Sequence, residues 1–179
     1  MEGKYIIVEL IPTASNPEYG DIIQLSALKI ENLQLVDRFD YRLKEEYIPL
    51  QDLVRMISYD KDKFIYKETT TEILEEFDKW SEDIPILILN NQYTLKYLKE
   101  INNIKKDIST YLDIPYHDDI IETIMEKYEI EPSNYIVDIL YEALIYKSNE
   151  NALLSVIIRS IIWSIVWSLI IWSWIESRR

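Results

Sequence analysis

The sequence predicts an α/β domain: a mixed sheet, made of a three-strand antiparallel meander plus parallel strands, flanked by helices, with an extra apolar helix at the C-terminus. Three observations carry this. Lys4 to Ile30 reads KYIIVELIPTASNPEYGDIIQLSALKI, two apolar runs joined by a turn containing Pro, Asn and Gly, as a hairpin requires. Leu33 to Leu43 then alternates apolar with polar residues, the period of a third strand. Beyond it, segments with helical spacing take turns with short apolar runs, the order that lays helices on the faces of a sheet.

Each element has a local reason. Tyr5 to Ile11 is a continuous apolar run with one acid, Glu9, in its middle, the composition of a central strand covered on both faces. Glu31-Asn32 is the two-residue turn into the third strand. That strand sets Leu33, Leu35, Phe39, Tyr41 and Leu43 on one side and Gln34, Arg38, Asp40 and Arg42 on the other, with Asp37 the dissenter on the apolar side. Ile48-Pro49 opens a looser region with a short helix around Gln51 to Ile57. Thr69-Thr70-Thr71-Glu72 is a capping box at the head of a helix whose inner face is Ile73, Leu74, Phe77 and Trp80. Pro85 to Leu89 is a buried strand parallel to the first, followed by a helix from Gln92 to Asn102 with Leu95, Tyr97, Leu98 and Ile101 inward. Ile108 to Ile114 is read as a last strand, then Asp118 as the cap of a helix carrying Ile120, Ile121, Ile124, Met125 and Tyr128. A final helix of the body runs from Asn134 to about Lys147. The resulting order, β-β-β-α-β-α-β-α-α, is the layout of the ribonuclease H-like fold.

Composition narrows the function classes. With no cysteine among 179 residues, disulfides, thiolate metal sites and cysteine nucleophiles are excluded together, and two glycines leave no flexible linker. The opening MEGKYIIVEL holds no basic stretch followed by a long apolar one, so no secretory signal is read and a cytoplasmic setting is expected. Residues 151–179 carry Arg159, Arg178 and Arg179 against Glu176, a net of +2, so residues 1–150 hold −15 of the total −13. A body so acidic lacks the basic stripe that supplies most non-specific affinity for nucleic acid. Four of the five tryptophans lie in the last 29 residues, which contain no Lys, Tyr or Asp. That change of alphabet divides the chain into a domain at 1–148 and an apolar helix at 149–179.

YIIVELIPTASNPEYGDIIQLSALKIENLQLVDRFDYRL resembles the opening of the DEDDh 3′→5′ exonucleases, the family of the proofreading subunit of bacterial DNA polymerase III. The likeness continues in order through Ile48-Pro49 and MISYDKDKF, then ILILNNQYTLKYL, then EKYEIEPSNYIVDILYEAL. About 145 residues are covered. Activity in that family implies four carboxylates holding two divalent cations, Mg or Mn, and a histidine that helps deprotonate the attacking water. Carried over by position, the first aspartate falls on Glu9, the glutamate on Ile11 and the threonine-glycine pair on Thr13-Ala14. The second aspartate falls on Thr94, after Tyr93, the histidine on Ser133 and the last aspartate on Asp138. Two carboxylates of four are left, and the base is gone. Glu9 and Asp138 are read as polar groups that pair with a lysine or accept backbone N–H bonds, holding one ion weakly at best. His117, in YHDD beside Pro115, is read as a turn residue and not as a relocated base.

The tail is ALLSVIIRSIIWSIVWSLIIWSWIESRR. Leu153 to Ile175 has one charge, Arg159, in 23 residues, roughly 34 Å of helix against a bilayer core of about 30 Å. Ser160, Ser164 and Ser168 stand four apart, the small-residue spacing of close helix packing. Trp163, Trp167, Trp172 and Trp174 suit a membrane interface or a protein partner equally.

The expectation is therefore a catalytically degenerate exonuclease-fold domain that binds or scaffolds without a cofactor, attached by its tail to a membrane or to partner subunits, a homo-oligomer included. Two alternatives stand beside it. One is an active metal-dependent 3′→5′ exonuclease whose atypical site recruits Glu18 or Asp21. The other is a membrane protein that oligomerises through the tail.

Overall fold

The computed structural model describes residues 3–48, 64–89, 92–114, 119–133 and 135–176, with the backbone alone for residue 92 and for 165–176. Strands β1 (Lys4–Pro12), β2 (Ile22–Glu31) and β3 (Gln34–Leu43) form the antiparallel meander. β4 (Ile65–Lys67) adds to β3 in parallel, while β5 (Ile86–Ile88) and β6 (Lys105–Asp107) add in parallel beyond β1. The six-stranded order is β4-β3-β2-β1-β5-β6. The mixed sheet with flanking helices fits the ribonuclease H-like fold read from the sequence.

Burial on both faces explains the apolar run of β1. On one face Ile6, Val8, Leu10, Leu25 and Phe39 pack against Ile73 and Phe77 of helix α1 (Thr70–Ser81), and against Tyr97 and Leu98 at the end of α2 (Gln92–Tyr97). On the other, Tyr5, Ile7, Leu28 and Ile30 lie under α3 (Ile108–Leu112), α4 (Ile120–Tyr128) and the first turns of α5 (Ile136–Glu176). The capping box forms as its residues dictate: Thr69 Oγ1 accepts from the Glu72 N–H at 3.2 Å, and Glu72 Oε2 accepts from the Thr69 N–H at 3.2 Å. Asp37, the odd residue of β3, has a partner too, since Trp80 Nε1 donates to its Oδ2 at 2.8 Å.

Several boundaries depart from the sequence reading. The meander turn is Asn32-Leu33, both with positive φ, one residue later than Glu31-Asn32. Gly3 fixes that register, its N–H donating to Asn32 Oδ1 at 3.1 Å and its carbonyl accepting from the Asn32 N–H at 3.0 Å. Ile108 to Leu112 is a helix, not the last strand: Asp107 Oδ1 accepts from the Ser109 N–H at 2.9 Å and caps it, so pairing with β5 falls to Lys105–Asp107 just before. Helix α2 stops at Tyr97, five residues short of Asn102, and Leu95 is exposed. No break occurs near Lys147, and α5 continues to Glu176. The short helix at Gln51 to Ile57 and the cap at Asp118 lie outside the described residues.

Two compact units, 1–144 and 145–179, divide the chain. In the second, taken by itself, Leu153, Leu154, Val156, Ile157, Ile158, Ile161, Ile162 and Trp163 are all exposed. Ser160 Oγ donates to the Val156 carbonyl and Ser164 Oγ to the Ser160 carbonyl, both at 2.9 Å, so these hydroxyls turn back onto their own helix. Among the described residues no helix is long and apolar enough to cross a membrane. The side chains of Trp167, Ser168, Trp172 and Trp174 lie outside the described residues.

Replacing Thr69 by alanine removes the acceptor for Glu72 and should cost about 1 kcal/mol. Urea unfolding is expected to show a lower midpoint with an unchanged slope; an unchanged midpoint would mean that the cap contributes nothing.

Candidate functional site

The register of the meander brings the site together. Glu9 of β1 pairs with Ser26 of β2, which pairs with Asp40 of β3, and the next row is Ile11, Gln24 and Arg42. Side chains two apart along a strand point the same way, so these rows and Arg38 share the face covered by the start of α5. The residues on the polar side of β3 are therefore not a solvent face: Asp40 is 9% and Arg42 1% exposed.

Beside this layer is a cavity of about 470 Å³ whose described lining includes Glu9, Ile11, Thr13, Ala14, Tyr93, Thr94, Ile136 and Leu140. Its rim, the loop after β1, is tightly held. The Thr13 N–H donates to the Asp21 carbonyl and the Asp21 N–H to Thr13 Oγ1, both at 2.9 Å, and the Tyr97 hydroxyl donates to the Ala14 carbonyl at 3.0 Å. Gly20 permits this closure, because a Cβ there would lie 2.7 Å from both Ala14 Cβ and the Tyr97 hydroxyl.

Glu9 is 8% exposed, and its Oε2 accepts from the Ile136 N–H at 3.0 Å. The first N–H groups of a helix have no partner within it, and a carboxylate there is favoured by the helix dipole. Glu9 thus caps α5 from a strand more than a hundred residues away in sequence. Burial pushes its pKa up to about 7; the N–H groups of Ile136 and Val137 act against that rise, and the neighbouring charges of Asp138 and Asp40 add to it.

Asp138, in the first turn of α5, faces a cation of the chain itself. Arg38 Nη1 donates to Asp138 Oδ1 at 2.8 Å, Arg38 Nε donates to Asp40 Oδ2, and the guanidinium lies over the Tyr135 ring, 4.7 Å from its centre. Burial lowers the pKa of Arg38, but its bonds to Asp40 and Asp138 outweigh this and leave it raised.

The other positions singled out from the sequence are scattered. Thr94 is buried in α2 and Ile11 is half-buried, both at the cavity wall, and neither carries a charge. Ser133 Oγ accepts from the Tyr135 N–H at 3.2 Å. Asp21 Oδ1 accepts from Thr70 Oγ1 at 2.9 Å, and Glu18 Oε2 accepts from Asn16 Nδ2 at 3.5 Å; neither residue is among the described lining of the Glu9 cavity. Ile48 is buried, whereas Pro49, MISYDKDK, Asn90-Asn91 and His117 lie outside the described residues. Among the described residues no group of three or more acids or histidines is placed to hold a metal ion. Arg38 and Asp40, which complete the layer, were missed in the sequence because alternation in β3 reads as an exposed side. The usable signal was the meander register, which sets Asp40 two strands from Glu9 in the same row.

No protein-family profile matches the chain. Over 98 residues, 54% of the chain, it is 21% identical to a PolC-type DNA polymerase III of Staphylococcus aureus, of which that stretch is 7%. An exonuclease I from Methylocaldum szegediense superposes with a TM-score of 0.56 at 11% identity, over 83% of this chain and 40% of that one. Another exonuclease I structure gives 0.52 at 13% identity, over 82% and 40%. The chain thus spans well under half the length of the proteins it matches, and the body has the exonuclease I type of fold.

The position of Glu9 has a consequence for stability. Its folded pKa, about 7, lies above its ordinary 4.5, so between these values the folded chain holds a proton that the unfolded chain has released. The contribution is full below the lower value and is lost as pH rises through the upper, at no more than about 1.4 kcal/mol per pH unit. Glu9→Gln keeps an acceptor for Ile136 and has no charge to bury. Its stability relative to wild type should rise from pH 5 to pH 8, as read by urea midpoints at each pH; a constant difference would place the titration elsewhere.

Proposed function

We propose that the body is a catalytically silent exonuclease-fold domain of the proofreading-subunit type, kept as a binding or scaffolding module. The observation that carries this is the use made of the two remaining carboxylates: Glu9 caps α5, and Asp138 is tied to Arg38. In-line displacement at a phosphodiester by two divalent cations needs several carboxylate oxygens free to ligate both. With Ile11 and Thr94 supplying none and a guanidinium already on Asp138, the donor set does not fit that pair of ions. The cavity of about 470 Å³ beside Glu9 persists as space for a bound group. The formal charge of −15 on residues 1–150 disfavours long polyanions, which points the module toward a protein or a small ligand and away from a nucleic-acid strand.

The exposed apolar residues between Leu153 and Trp163 favour a second role for the tail, attachment to another apolar surface. A helix apolar on all sides is stable in water only when something covers it.

Purified full-length protein is expected to release no nucleotide from single-stranded DNA or RNA in magnesium or manganese; metal-dependent degradation that Asp138→Ala abolishes would refute the silent assignment. For the tail, removing residues 151–179 should convert a detergent-requiring assembly into a soluble monomer on size exclusion. A full-length protein already monomeric without detergent would exclude attachment through this helix.

A further inference from the structure

We infer that the outer edge of β3 is a strand-pairing surface held closed by two side chains, Asp37 and Tyr141, and that the partner they exclude is a second copy of this chain. This closure stands whether or not the body is silent as an exonuclease.

β3 pairs with β2 from Gln34 to Arg42, but on its other side β4 meets only Tyr41 to Leu43. Among the described residues no strand lies beside Gln34 to Asp40 on that side. A run of unpaired backbone N–H and carbonyl groups at a sheet edge invites pairing with another chain. The side chains nearest the turn do not repel one: Leu35 and Val36 are apolar and are 46% and 57% exposed.

Which backbone groups face outward follows from the register. The Lys44 N–H donates to the Lys67 carbonyl at 2.9 Å, so Lys44 faces β4. Backbone groups alternate sides along a strand, and Arg42, Asp40 and Arg38 therefore face the same way. The register with β2 pairs Asp37 with Lys29 and Leu35 with Ile30, leaving Val36 as an extra residue. Such a bulge shifts the alternation by one, and the outward positions become Leu35 and Leu33.

Side chains have taken these same groups. Asp37 Oδ1 accepts from the Arg38 N–H at 2.8 Å, while its Oδ2 is anchored by Trp80 Nε1 at 2.8 Å. The Tyr141 hydroxyl, reaching over from α5, accepts from the Leu35 N–H at 3.2 Å and donates to the Leu33 carbonyl at 3.1 Å. Asp40, the outward residue that follows, adjoins the Tyr41 and Ile65 pair where β4 begins. A strand arriving from outside thus meets a bulge flanked by groups already bonded. The acid on the apolar side of β3 has its reason here, since an apolar residue at position 37 would leave the Arg38 N–H open. A second copy is the partner kept out, because a twofold axis at the bulge sets Leu35 and Val36 of one chain against the same two residues of the other.

The chain has no cysteine, so a single thiol reports on this edge alone. Val36→Cys is introduced into the full-length protein with its native edge, and also together with Asp37→Ala, with Tyr141→Phe, with both, and with Trp80→Phe. Each protein is treated with a short bis-maleimide in the same detergent, and covalent dimer is read on a denaturing gel. Assembly driven by the tail raises every background alike, so the readout is the ratio to the native edge. Dimer yield is expected to rise about fivefold with either Asp37→Ala or Tyr141→Phe and about tenfold or more with both, each freed hydrogen bond carrying a factor of that order. Trp80→Phe, which leaves the Arg38 N–H capped, should match the native edge. An unchanged yield with Tyr141→Phe overturns the inference, and this variant, which loses one oxygen, decides alone if the combination fails to fold. A rise with Trp80→Phe equal to that with Asp37→Ala overturns it as well, because loss of the Trp80 anchor would then account for the effect.

Discussion

The structure depends on how charge is neutralised beneath the first turn of α5. Helix α5 covers a sheet face that carries Glu9, Arg38, Asp40 and Arg42; Glu9, Asp40 and Arg42 are buried, and Arg38 is half-buried. Removing a charge from water costs several kcal/mol unless it finds a partner. Each group here is answered differently. Glu9 takes the unpaired N–H groups at the head of the helix, while Asp40 and Asp138 share one guanidinium. The same contacts fix the helix on the sheet, since Glu9 meets its N-terminal end from β1 and Arg38 meets Asp138 from β3. Position of the helix and compensation of charge are one interaction seen from two sides.

That arrangement also accounts for the residues at the cavity wall. In a site that holds cations, acids at positions 11 and 94 are favourable because the ions outweigh them. Without ions, two more carboxylates beside Glu9, Asp40 and Asp138 would have no counter-charge. Ile11 and Thr94 remove that demand, and Arg38 meets part of what is left. A neutral wall and a tethered arginine are consistent with each other and inconsistent with a full set of ligands.

How much was legible in the sequence follows from which forces are local. The meander, the capping box at Thr69 and Glu72, and β5 were readable because period, turn and cap residues are set by near neighbours. The strand expected at Ile108 to Ile114 failed on a single residue: Asp107 offers a helix cap, and a short stretch mixing Ile and Thr with Ser and Leu accepts either state when tertiary packing decides. The turn shifted by one because Gly3, distant in sequence, bonds Asn32 on both its backbone groups. Glu9 stands out in the sequence as the one acid in an apolar run. Its partner, a backbone N–H 127 residues later, carries no side-chain signature and could not be read. Arg38 and Asp40 were hidden differently: alternation shows which residues share a side, not whether that side faces water, and a sheet covered on both faces makes the polar side an interior one.

The charge count of the buried layer gives the last step. Of the three carboxylates Glu9, Asp40 and Asp138, two bond the Arg38 guanidinium, and Glu9 bonds no cation. Arg42 is fully covered, makes no hydrogen bond through Nε or Nη1, and lies over the Phe64 ring at 5.5 Å. It lies one row from Asp40, and an arginine stays charged at any pH the fold survives. The remaining imbalance falls on the carboxylate with the weakest claim to a counter-ion. Asp40 and Asp138 hold a guanidinium directly, whereas Glu9, buried like Asp40, has only N–H dipoles. Burial therefore raises Glu9 to about 7, with the charges of Asp138 and Asp40 adding to the rise, while its row-mate keeps an arginine.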